Sequence, residues 1–168
     1  MLRVGTVGTS SIMRTIQEAI RLTDGMECRV VYSRTEEQGR AFAAEMGVPE
    51  HCTDYAAMLE RSDLDLIDIA SPNRFHAEQA LAALEHGKHV IVEKPAAVTR
   101  GDVQRLIDAA RANGVYFFEA ITTLFMPQYE ACRLLLPKLG RIEQAHITYA
   151  QYSSHYDAYL RGENPNIF

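Results

Sequence analysis

A carboxylate, an ammonium and a rigid imino acid stand side by side at Glu93-Lys94-Pro95, directly after the apolar run VIV. A strand that only had to turn would more often end on Gly, Asn or Ser. The pair therefore reads as chemistry placed at a strand end, with a solvated ion pair as the plainer alternative. Adjacent strand residues point to opposite faces, which separates Glu93 from Lys94. Lysine is ordinarily too basic to exchange protons near neutrality. Partial burial lowers its pKa, and an ammonium can then stabilise and protonate an oxygen on which charge develops. Pro95 fixes the backbone after the lysine and allows a cis Lys–Pro bond.

Other strand ends carry polar groups of their own. GTVGTSSIM runs from a strand into Gly8-Thr9-Ser10-Ser11 and then a helix, a geometry that turns backbone N–H groups outward toward an anion. Against the dinucleotide pattern G-x-G-x-x-G/A, Gly8 matches while Ser10 takes the second place and Met13 the third. A plain strand-to-helix turn is the alternative. The second strand ends VVYSR, where NAD-preferring folds usually place an acid; Ser33 and Arg34 instead suit a ribose 2′-phosphate. A solvated Arg34 is the alternative there. The third ends SPNRFH: Pro72 stiffens the exit, Asn73 is placed to cap a helix, and His76 falls on its first turn, able to face the same cleft or to be structural. The fifth ends in Glu119, followed by AITTLFMP.

The elements that must position these groups alternate strand and helix. Leu2–Val7, Cys28–Tyr32, a run ending at Ala70, His89–Glu93 and Val115–Glu119 read as strands. Between them lie helical stripes: Ile12, Ile16, Ala19 and Ile20; a segment opening with a Thr35/Gln38 capping box and closing at Gly47; a short helix at Tyr55–Glu60; Ala77, Ala80, Leu81 and Leu84; and Val103, Leu106, Ile107 and Ala110 behind a Thr99/Asp102 box. This alternation predicts an α/β fold, a doubly wound parallel sheet covered on both faces. Its strands' carboxyl ends share one edge, where ligands bind.

Near residue 120 the pattern changes. Residues 1–120 are expected to form one α/β domain and 121–168 the beginning of a second, incomplete unit. A helix at Tyr129–Leu136 and a half-exposed strand at Ile142–Tyr152 are predicted there, followed by a polar, turn-rich stretch.

The net charge of −5 argues against nucleic acid or an anionic membrane as the main partner. No apolar run approaches membrane-spanning length, and the N-terminus lacks the apolar core of a signal peptide. Cys28, Cys52 and Cys132 form neither a disulfide framework nor a zinc pattern, so a reducing cytoplasm and no metal site are expected.

The stretch IASPNRFHAEQALAALEHGKHVIVEKPAAV closely resembles the Gfo/Idh/MocA oxidoreductases. The GTSSI turn, the Ser-Arg pair and the Glu-Ala after the fifth strand are similar to that family as well. The resemblance spans roughly residues 2–168. It implies a Rossmann domain binding NADP, with NAD as the alternative, and then a larger α/β domain with an open sheet that shapes the substrate site and commonly forms oligomers. Hydride would pass between nicotinamide and a hydroxyl-bearing carbon of a sugar, polyol or diol. The family's E-K-P lysine maps to Lys94, in contact with the reacting oxygen and the nicotinamide ribose. Gly8, Thr9, Ser10, Ser11, Ile12, Ser33, Arg34, Ser71, Pro72, Asn73, His76 and Glu93 would complete the cofactor site.

Two departures mark the match. Thr122, Thr123 and Leu124 replace the aromatic and arginine that dihydrodiol-type members carry after the Glu-Ala. No D-x-x-x-H motif for a second catalytic group occurs up to Phe168, and His155 lies in another context. The chain is thus expected to be a fragment of a dehydrogenase. A dinucleotide sensor without turnover and a short oligomer completed by a partner's strands are the competing readings.

Overall fold

The computed structural model describes residues 1–148, 150 and 156–162. Its first unit covers residues 1–120, and a second begins at Ile121. In the first, β1 (Leu2–Val7), β2 (Met26–Tyr32), β3 (Glu50–Cys52), β4 (Leu66–Ile69), β5 (His89–Val92) and β6 (Phe117–Glu119) form one sheet in the order β3-β2-β1-β4-β5-β6. Each neighbouring pair is parallel. Helices α1 (Ser11–Leu22), α2 (Glu36–Met46), α3 (Tyr55–Leu59), α4 (His76–Glu85) and α5 (Arg100–Asn113) connect the strands. This is the predicted doubly wound Rossmann sheet. The order reverses between β1 and β4, and that switch point opens a crevice at the carboxyl edge.

Burial follows from the two-sided cover. All four residues of β4 are buried, as are Val4–Val7 of β1. On one face Ile67, Ile69, Val90 and Val92 pack with Ala80, Ala83 and Leu84 of α4 and Leu106 and Ala110 of α5. On the other, Val4 and Leu66 pack with Ile20 of α1, while Met13 of α1 packs with Val31 and Phe42.

The helices begin and end where short-range chemistry directs. Thr35 and Thr99 each accept a hydrogen bond from the backbone N–H three residues on, at 3.4 and 3.1 Å. The Thr99 hydroxyl also donates to Asp102 Oδ2 at 2.7 Å. Gly47 and Gly114 close α2 and α5 in the left-handed conformation.

Two local expectations are corrected, and one strand not expected, β3, is added. The buried stripe of α1 is Met13, Gln17 and Ile20, whereas Ile12 and Ala19 face solvent and Ile16 is half-buried. A buried amide decides that rotation: Gln17 Nε2 donates to Thr6 Oγ1 at 2.9 Å and to Cys28 Sγ at 3.2 Å, so a polar residue occupies the inner face. Strand β3 carries no alternating pattern and is specified by its pairing with β2. Residues 142–148 and 150 adopt no strand, since no other strand of their unit is present among the described residues to supply a ladder partner. Residues 149, 151 and 152 of that predicted strand, and His155, lie outside the described residues.

The second unit contains helix α6 (Pro127–Leu135), begun by Pro127 at its first turn, and α7 (Tyr156–Leu160) within the stretch expected to be turn-rich. No helix among the described residues is long and apolar enough to cross a membrane.

Thr99→Ala should lower the unfolding free energy by about 1 kcal/mol through loss of the α5 cap. A urea titration reads this directly, and an unchanged midpoint would show that the cap contributes nothing.

Candidate functional site

The site begins at the turn from β1 into α1. Gly8 has φ +115°, and a Cβ there would lie 2.7 Å from the Ala70 carbonyl oxygen, so only glycine lets β1 leave the sheet this close to β4. Ser10 follows as the α1 N-cap in extended conformation, with no side-chain capping bond. Its hydroxyl and the first N–H groups of a twelve-residue helix are therefore available to an anion.

Across the crevice stand the ends of β2 and β4. A cleft of about 220 Å³ is lined by Gly8, Thr9 and Ser10, by Ser33 and Arg34, and by Ser71 and Pro72. Ser33 is buried, whereas Arg34 is exposed and makes no ion pair or hydrogen bond among the described residues. The neighbouring Glu36 is turned to His51 at 2.7 Å, a bond that holds its carboxyl below the usual range. Arg34 thus remains as an uncompensated cation beside the cleft.

Seven of the expected residues meet in this cleft. Ser11 and Ile12 lie on the first turn of α1 with their side chains exposed, Asn73 begins a 3₁₀ turn (Asn73–Phe75), and neither group lines the cleft. Glu93 and Lys94 stand just past β5, on the far side of β4 from the cleft's Ser33-Arg34 wall, with Lys94 exposed and the Lys94–Pro95 peptide cis. His76 is fully buried and directs both ring nitrogens at backbone carbonyls, Pro95 O at 2.8 Å and Ser71 O at 2.7 Å. It therefore lies behind the strand ends, and the open cleft wall is formed without it.

Residues not assigned to the site from the sequence complete the cleft. Tyr32, Gln38, Phe75 and Gln79 line it, and the Ser71 hydroxyl donates to Gln79 Oε1 at 2.6 Å. The signal for the glutamines was positional: each lies in the opening turns of a helix that follows a strand end.

Asp68 is the other omission, an acid inside the apolar run LIDIA. It is 6% exposed, and its Oδ1 has no hydrogen-bond partner among the described residues. Burial first, then repulsion from Glu93, raises its pKa to about 7. Its neighbours in the ladder are Thr6 on β1 and Ile91 on β5, so it sits in the strand layer beneath the Glu93-Lys94 turn.

A glycine cradle that a Cβ would fill, an uncommitted helix N-terminus and an unpaired arginine form a donor set that fits a dinucleotide. The family model of the Gfo/Idh/MocA proteins, an oxidoreductase family with an NAD-binding Rossmann fold, matches residues 2–121. This chain belongs to the Gfo/Idh/MocA oxidoreductase family.

Its relatives agree with that assignment. Over 168 residues the chain is 40% identical to the uncharacterised oxidoreductase YgjR of Escherichia coli, covering all of this chain and 51% of that protein. It is 36% identical to the scyllo-inositol 2-dehydrogenase (NADP(+)) IolU of Bacillus subtilis, again over all of this chain and 51% of the relative. Among solved structures, KijD10, a 3-ketoreductase of Actinomadura kijaniata in complex with NADP and TDP-benzene, superposes with a TM-score of 0.76 at 31% identity. That match covers 82% of this chain and 42% of KijD10. The chain spans about half the length of the curated relatives it matches.

Asp68 makes the stability of the Gfo/Idh/MocA unit depend on pH. With its pKa raised to about 7, the folded protein keeps a proton that the unfolded chain has released above its ordinary carboxylate pKa. Its contribution is therefore least unfavourable in acid and falls as pH rises toward about 7, then stays level. Asp68→Asn should stabilise the protein at about pH 8 and much less at about pH 5, read by urea unfolding at both. An equal effect at the two pH values would show that the carboxyl is not protonated in the fold.

Proposed function

We propose that this chain is the cofactor-binding half of an NADP(H)-preferring dehydrogenase or reductase that acts on a sugar, polyol or diol. The observation that carries the reading is the cleft in which the Gly8–Ser10 turn faces an unpaired Arg34 across one sheet edge. The Gly8-Thr9-Ser10 backbone and the α1 N-terminus would hold the pyrophosphate. Ser33 and Arg34 would hold the ribose 2′-phosphate, since a guanidinium pairs bidentately with a phosphate and has nothing comparable to bind on a bare 2′-hydroxyl. The activities of IolU and KijD10 support both the NADP preference and a polyol or sugar substrate.

When bound, the nicotinamide supplies or accepts the hydride. Lys94 does the acid–base work: its ammonium stabilises the negative charge that builds on the substrate oxygen and delivers the proton to it, and in the oxidative direction its neutral amine receives that proton. Glu93, next along the chain, helps shape the nicotinamide end of the pocket. Residues 121–168 begin the domain that shapes the substrate site and mediates self-association. Free thiols at Cys28, Cys52 and Cys132 support a reducing, cytoplasmic setting.

Arg34→Ala should weaken NADPH binding by about 10- to 100-fold, the range of a charge-assisted pair, while NADH binding changes little. Cofactor fluorescence titrations test this, and equal losses for both cofactors would remove the 2′-phosphate assignment. In a full-length form, Lys94→Ala should reduce kcat by about 10²- to 10⁴-fold with NADPH affinity largely kept. Cofactor binding with no turnover of any polyol or sugar by the unmutated protein would instead favour a dinucleotide sensor.

A further inference from the structure

The peptide bond after Lys94-Pro95 is held at both of its polar ends. Its carbonyl, Pro95 O, lies 2.8 Å from His76 Nδ1. Its amide, Ala96 N–H, donates to Glu119 Oε1 at 2.9 Å. Pro95 has no N–H of its own, so these are the polar groups through which the turn can be fixed after the lysine. The other side of the imidazole, Nε2, faces Ser71 O at 2.7 Å, and Ser71 lines the cleft. Both partners of the ring are carbonyl oxygens that only accept. A ring protonated at one nitrogen satisfies one of them, and a ring protonated at both satisfies both.

The two anchors reach the turn from different elements. His76 opens α4, behind β4, and Glu119 ends β6, on the other side of β5. Ala96 is itself buried, which leaves its N–H dependent on the carboxylate for a partner. Lys94, by contrast, is exposed and has no side-chain bond among the described residues to direct it. The position of its Cα is thus set by the backbone, which the Glu93 N–H to Ile69 O bond anchors on the strand side and this pair anchors on the far side.

We propose that His76 and Glu119 are positioning residues for Lys94: they clamp the Pro95–Ala96 peptide, and through Ser71 His76 ties the lysine turn to the wall of the cofactor cleft. The inference rests on the acid–base reading of Lys94 given above. A proton donor displaced by about 1 Å can lose a hundredfold in rate, so such a clamp acts on kcat and leaves cofactor affinity nearly alone.

Glu119 gives the cleaner test, because its exposed side chain can be changed with little risk to folding. In the 168-residue chain, amide exchange at Ala96 followed by NMR should speed up about tenfold or more in Glu119→Leu and stay slow in Glu119→Gln, whose amide oxygen still accepts. In a full-length form, Glu119→Leu and His76→Asn should each lower kcat by about 10- to 100-fold with NADPH affinity held within about threefold, and Glu119→Gln should restore most of the loss. On a Lys94→Ala background neither change should cost anything further, because both act through the lysine. Additive losses on that background, or a full kcat in Glu119→Leu despite fast Ala96 exchange, would overturn the positioning role alone. Full turnover in Lys94→Ala by itself would sink the acid–base reading, and the positioning role with it.

Discussion

Parallel pairing of β1 with β4 and of β4 with β5 is the constraint from which the site follows. The register sets Val7 beside Ile69 and Ile69 beside Val92, so three strands stop at the same level. Whatever follows those residues must emerge at one edge: Gly8 after the first, Ala70-Ser71 after the second, Glu93-Lys94 after the third. A parallel ladder also requires a helical crossover between each pair, and each crossover helix starts at that same edge. Helix N-termini, a turn glycine and a lysine are thereby brought to one edge by the ladder itself.

The polar groups inside this layer divide by how well they are satisfied. Gln17 and Thr6 bond to one another under α1, and His76 has a carbonyl at each ring nitrogen. The Gln17–Thr6 pair fixes geometry at little cost, whereas a neutral His76 ring satisfies one of its two carbonyls. Asp68 stands apart, with an unpartnered oxygen and Glu93 raising its pKa further. It lies one strand position before the end of β4, next to the strand that delivers Glu93 and Lys94. An unfavourable group retained in the central strand gives the carboxyl edge a protonation equilibrium near neutrality.

The sequence was most readable where a local rule governs. Apolar runs marked β1, β4 and β5, and the Thr35 and Thr99 caps with Gly47 and Gly114 bounded α2 and α5. Gly8, Ser10, Ser33, Arg34, Ser71 and Pro72 could be picked out because each follows a strand end, and the fold draws them into one cleft. What escaped notice depends on partners remote in sequence. The inward turn of Gln17 is set by Thr6 and Cys28, and the burial of His76 by carbonyls five and nineteen residues away. The 142–152 segment mixes polar and aromatic residues as a half-exposed strand would, yet its described residues 142–148 and 150 form no strand, because composition fixes only which residues a strand could bury. Strand formation in addition needs an edge to pair with.

On the proposed reading, one sheet edge holds a dinucleotide with its 2′-phosphate at Arg34 and its nicotinamide toward Lys94. A crystal structure of the protein grown with NADP+ measures that directly. Pyrophosphate density is expected over the Gly8–Ser10 turn, with the 2′-phosphate within hydrogen-bond distance of Ser33 or Arg34 and the nicotinamide ring beside Lys94. Pyrophosphate density away from the Gly8 turn, or a nicotinamide on the opposite side of β1 from Lys94, would contradict it.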